Sequence, residues 1–234
     1  MRPKTNRRLK RAVLTAYVVL LVPVLQVGCV GLVNPPTTGP MALRWLKGKF
    51  TAGEQQRNRY CWLDLRGVPN DFLKCILVSE DHRFFEHWGF DWEEIRIARA
   101  EARARGQPAR GASTITQQCA RSLFLWQGRS WIRKGLEAYY TVWMELLLSK
   151  RRILELYVNV IELGDGVFGV EAGARHHYGI PAEQLSREQA AMLAAILPNP
   201  RDWNPKQPNE RVLKRQAIIL KRAETAWLPL EQTE

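Results

Sequence analysis

The chain has 234 residues, 46% hydrophobic and 25% charged, which excludes a disordered chain and allows one domain with a sizeable core and some extra length. A surplus of 35 Lys+Arg over 23 Asp+Glu gives a net charge of +12, so an anionic partner is expected: nucleic acid, a membrane surface or a phosphorylated substrate. The four cysteines show no CxxC or Cys/His ligand spacing, which argues against a zinc site or a disulfide framework; Cys61, Cys75 and Cys119 read as buried thiols.

Residues 1–11 form a basic tail, with Arg2, Lys4, Arg7, Arg8, Lys10 and Arg11. The uncharged stretch 12–33 then meets the roughly 20 residues that a bilayer-crossing helix needs. The cations before it predict a cytoplasmic N-terminus and a body on the far side of the membrane. A signal peptide is the rival, but its apolar core runs to only about 7–15 residues. Gln26-Val27-Gly28 before Cys29 matches a lipoprotein cleavage site only loosely, because Gln26 is polar. A stiff Pro-rich stretch, Asn34-Pro35-Pro36-Thr37-Thr38-Gly39-Pro40, opens a linker over 34–47. Residues 48–228 are expected to form one domain and 229–234 a short tail.

The domain is mainly α in pattern. An apolar run from Leu73 to Val78 predicts a buried segment that delivers Glu80 to the edge of a core, where partial desolvation raises a carboxyl pKa towards the working pH. Asp91 with Glu94 predicts a capped helix running towards Arg105, and Gly106-Gln107-Pro108 ends it. That helix is basic, with Arg96, Arg99, Arg103, Arg105 and the following Arg110; it reads as a solvated face or as an attraction to anionic lipid head groups. Ser130 caps a long helix through Leu148, and the pattern continues from Ser149 to Leu163. Ser186 with Gln189 opens a helix that Pro198 closes, and Asn209 to Ala226 is a last basic amphipathic helix. Gly164-Asp165-Gly166-Val167-Phe168-Gly169 satisfies G-x-G-x-x-G, but it follows a helical pattern rather than a strand. A tight turn is expected there and no nucleotide.

Each ionisable residue has an ordinary explanation when taken alone. Glu80 could be a surface carboxylate, Glu137 an i,i+4 partner of Arg133, and Gln117 and Gln118 merely polar. Asp81 and His87 read as structural. Their joint occurrence points to chemistry on sugars and phosphates.

In order, the motifs resemble those of the peptidoglycan glycosyltransferases, family 51, from about Val68 to about Pro205. They are Glu80-Asp81-x-x-Phe84-x-x-His87-x-Gly89, Gly111-Ala-Ser-Thr-Ile-Thr-Gln-Gln118, Arg133-Lys134-x-x-Glu137, Ser149-Lys150-x-x-Ile153-Leu154-Glu155-x-Tyr157-x-Asn159, and Gly169-Val-Glu-Ala172 with His177-Tyr178-Gly179. Leu125-Trp126-x-Gly128-Arg129-Ser130-Trp131 is most similar to the monofunctional biosynthetic transglycosylases.

The resemblance implies a lysozyme-like, mainly α glycosyltransferase domain behind a single N-terminal transmembrane helix, in the bacterial inner membrane and facing the periplasm. It implies polymerisation of lipid II into β-1,4 glycan strands with release of undecaprenyl diphosphate. Glu80 would take the proton of the acceptor's 4-hydroxyl, and Glu137 would assist at the diphosphate side. Asp81, Ser113, Thr114, Gln117 and Gln118 would bind substrate, and Arg121, Arg133 and Lys134 would neutralise the diphosphate. A divalent cation, Mg or Mn, and partners in cell-wall synthesis are implied as well; nucleic acid is not.

The match departs at Arg121-Ser122, where the family usually has Lys-Asn, and at Ile180, where it commonly has a cation for which His176 or His177 would be a weak substitute. Two rival functions remain: a lysozyme-like or lytic enzyme that cuts glycan with two carboxylates, and a non-catalytic scaffold that binds lipid II.

Overall fold

The computed structural model describes residues 5–50, 58–108, 111–128 and 130–229. Arg2, Lys4, Arg110, Arg129 and the end of the C-terminal tail, 230–234, lie outside the described residues. Helix α1 (Thr5–Leu32) is followed by α2 (Gly39–Phe50), so much of the stretch read as a linker has helical backbone. Within α1, Leu9–Leu32 has mean hydropathy 2.3 and is long and apolar enough to cross a membrane, by length and composition alone. Its apolar side chains, such as Leu14, Tyr17 and Leu25, are exposed. The lower end turns inward. Val27 and Val30 enter the core, the Tyr140 hydroxyl donates to Gln26, and the Arg152 guanidinium donates to the Val30 carbonyl at 2.8 and 3.0 Å. These last contacts satisfy groups near a helix end that has no intrahelical partners left.

The body is built from α3 (Asn70–Glu80), α4 (Trp92–Arg105), α5 (Ile115–Phe124), α6 (Trp131–Leu147), α7 (Lys150–Val160), α8 (Val170–Tyr178), α9 (Arg187–Ile196) and α10 (Glu210–Glu224). Most starts follow from side-chain caps. Asp91 accepts from Glu94 N–H, Ser130 from Arg133, Ser149 from Arg152, Ser186 from Gln189 and Asn209 from Val212. Gly106, left-handed at φ 62°, closes α4. Packed α3, α5, α7 and α9 make the centre, with Phe72, Ile115, Tyr157 and Leu193 among the fully buried side chains, and α10 lies across α3 and α9. Of the three thiols expected inside, Cys75 and Cys119 are buried and Cys61 is exposed.

The glycine-rich segment between α7 and α8 is a hairpin rather than a bare turn. Strand β2 (Glu162–Gly164) pairs antiparallel with β3 (Val167–Phe168), which pairs parallel with β1 (Arg59–Tyr60). Gly166 supplies the left-handed turn at φ 71°. At Gly169, φ is 85° and an added Cβ would lie 2.6 Å from the Asn159 carbonyl oxygen, so close backbone packing onto α7 accounts for the glycine. A nucleotide-binding loop would need a parallel sheet behind it, and the described residues provide only this three-stranded patch.

Candidate active site

Helix α3 ends at Glu80, with the Asp81 N–H closing the last turn onto the Leu77 carbonyl. The side chain of Asp81 then points inward, where it accepts from His87 Nε2 at 2.9 and 3.1 Å and from the Ile115 N–H at 2.9 Å. One carboxylate therefore ties the loop after α3 to the first turn of α5. Thr114 makes the second tie. Its hydroxyl donates to the Gly89 carbonyl at 2.6 Å and accepts from Gln117 N–H, while the Gln117 side chain accepts from Thr114 N–H. Gly89 sits at φ 74° against α6, where a Cβ would meet the Thr141 methyl at 2.5 Å. Thr116 is held from below by the buried Glu145, which also accepts from Lys150.

With α5 fixed in this way, Gln118 faces α3. Its amide donates to Glu80 Oε2 at 3.0 Å, and its carbonyl accepts from the Tyr157 hydroxyl at 3.1 Å. Arg215 of α10 donates to the other oxygen, Glu80 Oε1, at 2.7 Å. Burial raises the Glu80 pKa; the Gln118 hydrogen bond, the charges of Arg215 and Arg121, and the Arg215 hydrogen bond oppose the rise. The net direction is upward from the usual carboxyl range, the direction in which a general base is tuned.

Glu137 lies on α6 with no side-chain exposure. Arg133 Nη1 donates to it at 3.1 Å, Lys134 Nζ also contacts it, and Arg121 Nη1 is 3.9 Å away. Three cations thus converge on one acid. Lys134 also reaches the Ser113 hydroxyl at 3.2 Å, which carries the cationic patch across to the segment before α5. Beside it opens a cavity of about 610 Å³. Gln118, Arg121, Ser122, Arg133 and Tyr157 line it, so the cavity reaches both glutamates through their partners. Such a site is chemically suited to an anion whose charge grows during reaction.

The sequence-expected residues therefore separate into two groups. Gln118, Arg121 and Arg133 line the cavity, and Glu80, Ser113, Lys134 and Glu137 are linked to it through hydrogen bonds and ion pairs. Asp81, Thr114 and Gln117 are buried, with their polar atoms engaged in fastening α5 to the loop after α3. Sequence reading missed Arg215, whose pairing with Glu80 spans 135 positions and leaves no local signal. His176 and His177 do not replace the missing cation beside Ile180. His177 is buried against the Leu163 carbonyl, His176 faces Arg59, and burial lowers both pKa values, keeping the rings neutral near pH 7.

The cation fit is poor at Glu137, because the amino and guanidinium groups around it already supply positive charge. Among the described residues, Asp81, His87 and Asp91 form a buried group with ligand atoms within 4.8 Å of one another. Asp81 is taken up by two N–H donors, and Asp91 caps α4 with Arg83 Nη1 3.6 Å away. That group is fitted to hold the loop, and no catalytic step is assigned to a metal there.

The family model for transglycosylases matches residues 47–224. The chain is 46% identical over 191 residues to a biosynthetic peptidoglycan transglycosylase of Stutzerimonas stutzeri, covering 76% of this chain and 78% of that one. It is 44% identical over 221 residues to the Pseudomonas putida GB-1 protein of the same name (94% and 91%). With the one from Xanthomonas campestris pv. campestris B100 it shares 43% over 224 residues (94% and 90%).

Proposed function

The chain belongs to the transglycosylase family and is a glycosyltransferase of peptidoglycan synthesis; we propose that its cavity polymerises lipid II. Glu80 accepts the proton of the acceptor's 4-hydroxyl as that oxygen attacks the anomeric carbon of the donor sugar. The bond from that carbon to the diphosphate breaks, and the electron pair leaves with the undecaprenyl diphosphate. Arg121, Arg133 and Lys134 receive the growing negative charge, with Glu137 holding the three cations in place and Ser113 beside Lys134. The observation that carries this reading is a partly buried, pKa-raised carboxylate and a separate cationic patch whose partners Gln118, Arg121 and Arg133 line one cavity. Pre-set cations need no rearrangement as charge moves onto the leaving group.

Asp81, Thr114 and Gln117 act here as supports that set the height of Gln118 and Arg121. A lytic or hydrolytic enzyme has no use for three cations around its second carboxylate, which favours a diphosphate-linked donor. The bilayer-length α1 fits membrane anchoring, and a lipid-linked substrate would meet the cavity at the same surface. The orientation with the domain in the periplasm follows from the basic N-terminus.

The test is fluorescent lipid II with purified full-length protein in detergent and Mg²⁺, beside Glu80→Gln. Glycan polymer from wild type, reduced about 10²–10⁴-fold in the variant, is the expected result. Binding of lipid II without consumption would favour the scaffold function and implicate Ser122 and Ile180.

A further inference from the structure

We propose that Arg215, outside the motifs of the family resemblance, is the positioning residue that holds Glu80 ionised and aimed at the acceptor; this rests on Glu80 being the base. A base in a partly buried position meets a conflict. Desolvation favours its protonated form, yet only the ionised form can take a proton. Each oxygen of Glu80 has one partner. Oε2 takes the Gln118 amide, whose orientation is fixed because the Tyr157 hydroxyl occupies the amide's carbonyl end. Oε1 takes Arg215 Nη2 at 2.7 Å, a charge-assisted bond.

The titratable groups facing Glu80 come from three helices, and two of them carry charge. Tyr157 of α7 is neutral, its own pKa pushed well up chiefly by burial. Arg121 of α5 acts from farther away and is shared, since it also lies 3.9 Å from Glu137. Arg215 of α10 is the remaining cation. Helix α9 also packs along α3 but contributes no charge to Glu80 among the described residues. In the proposed reaction the diphosphate competes for Arg121, whereas Arg215 has Glu80 as its single acidic partner within ion-pair distance among the described residues.

The rest of α10 does not duplicate the role. Lys214 pairs with Glu210 on the surface, and Arg211 stacks over Trp203. Arg215 Nη2 also lies 3.4 Å from the Ser79 carbonyl, which anchors it at the C-terminal end of α3. Its Nε is buried without a hydrogen-bond partner among the described residues. Guanidinium–carboxylate pairs are frequently bidentate. Here one nitrogen is directed at one oxygen, leaving the other for Gln118.

The experiment titrates Glu80 in full-length protein in detergent by difference infrared spectroscopy, the signal being the carboxyl band that Glu80→Gln removes. Arg215→Gln is expected to raise the titration point by about 1 pH unit, and Arg215→Lys by less. The acid limb of kcat/KM for lipid II polymerisation should move by the same amount, with KM changed little. A folded Arg215→Gln protein with an unmoved titration point overturns the proposal. Should that variant not fold, the side-chain ¹⁵N resonance of Arg215 in wild type decides: it follows the Glu80 titration if the pairing holds, and a flat response sinks it. Wild type that makes no glycan would overturn the transferase reading instead, and the spectroscopic titration would still decide the pairing.

Discussion

Glu80 places stability and catalysis in opposition. Its folded-state pKa lies above the unfolded value because burial disfavours the anion. A raised carboxyl pKa contributes stability in full below the unfolded value, about 4.3, and that contribution is lost as pH rises through the folded value. At neutral pH the ionised side chain therefore costs stability, and Glu80→Gln should melt no lower than wild type while losing polymerisation. A Tm several degrees below wild type would show that the ion pair with Arg215 outweighs desolvation. The same raised pKa sets the acid side of the rate profile: kcat/KM should fall on a limb lying above about 4.3. A limb at or below that value would mean that Glu80 is not the base or is not desolvated in the working enzyme.

Among the elements, α5 matters most, since it carries Gln118 and Arg121 to the cavity. Its start is held by the Thr114–Gln117 capping box and by the Thr114 bond to Gly89. Thr114→Ala removes the hydroxyl half of the box and the bond to Gly89, and a loss of about 1–2 kcal/mol is expected by denaturant titration, together with reduced polymerisation as α5 shifts. Unchanged stability would place the hold on α5 with Asp81 instead. The caps at Asp91, Ser130 and Ser186 were legible because each polar side chain stands just before a helical apolar pattern. The Thr114 box obeys the same rule, yet Thr-x-x-Gln sat in a run that read as substrate-facing polarity. The hairpin β2–β3 was not legible, because three- and two-residue strands carry too few positions to show a period of two. Arg215 was hidden for a different reason. On a helix with many cations, nothing local tells which one reaches inward, and only the packing of α10 across α3 makes the choice.

For the molecule as a whole, the question is whether α1 is only a tether. Val27 and Val30 belong to the same buried cluster as Phe72 and Tyr157, and α1 lies along α6, the helix that carries Arg133, Lys134 and Glu137. Gln26 meets Tyr140 on that helix, and Arg152 of α7 binds the last carbonyls of α1. Removing residues 1–33 therefore strips apolar cover and hydrogen-bond partners from the cationic side of the site. Full burial of a valine is worth about 1.5–3 kcal/mol, part of it offset by the cost of ordering the helix. A net loss of about 2 kcal/mol would lower Tm by roughly 4–8 °C for a domain of this size. Differential scanning calorimetry of the truncated and full-length proteins in one detergent reads this directly. An equal Tm would make α1 a tether whose contacts add nothing to the fold. A lower Tm would mean that the membrane-length helix and the cationic side of the site are one rigid piece, so that the depth of α1 in a bilayer fixes how far Arg133 and Lys134 stand from the head groups.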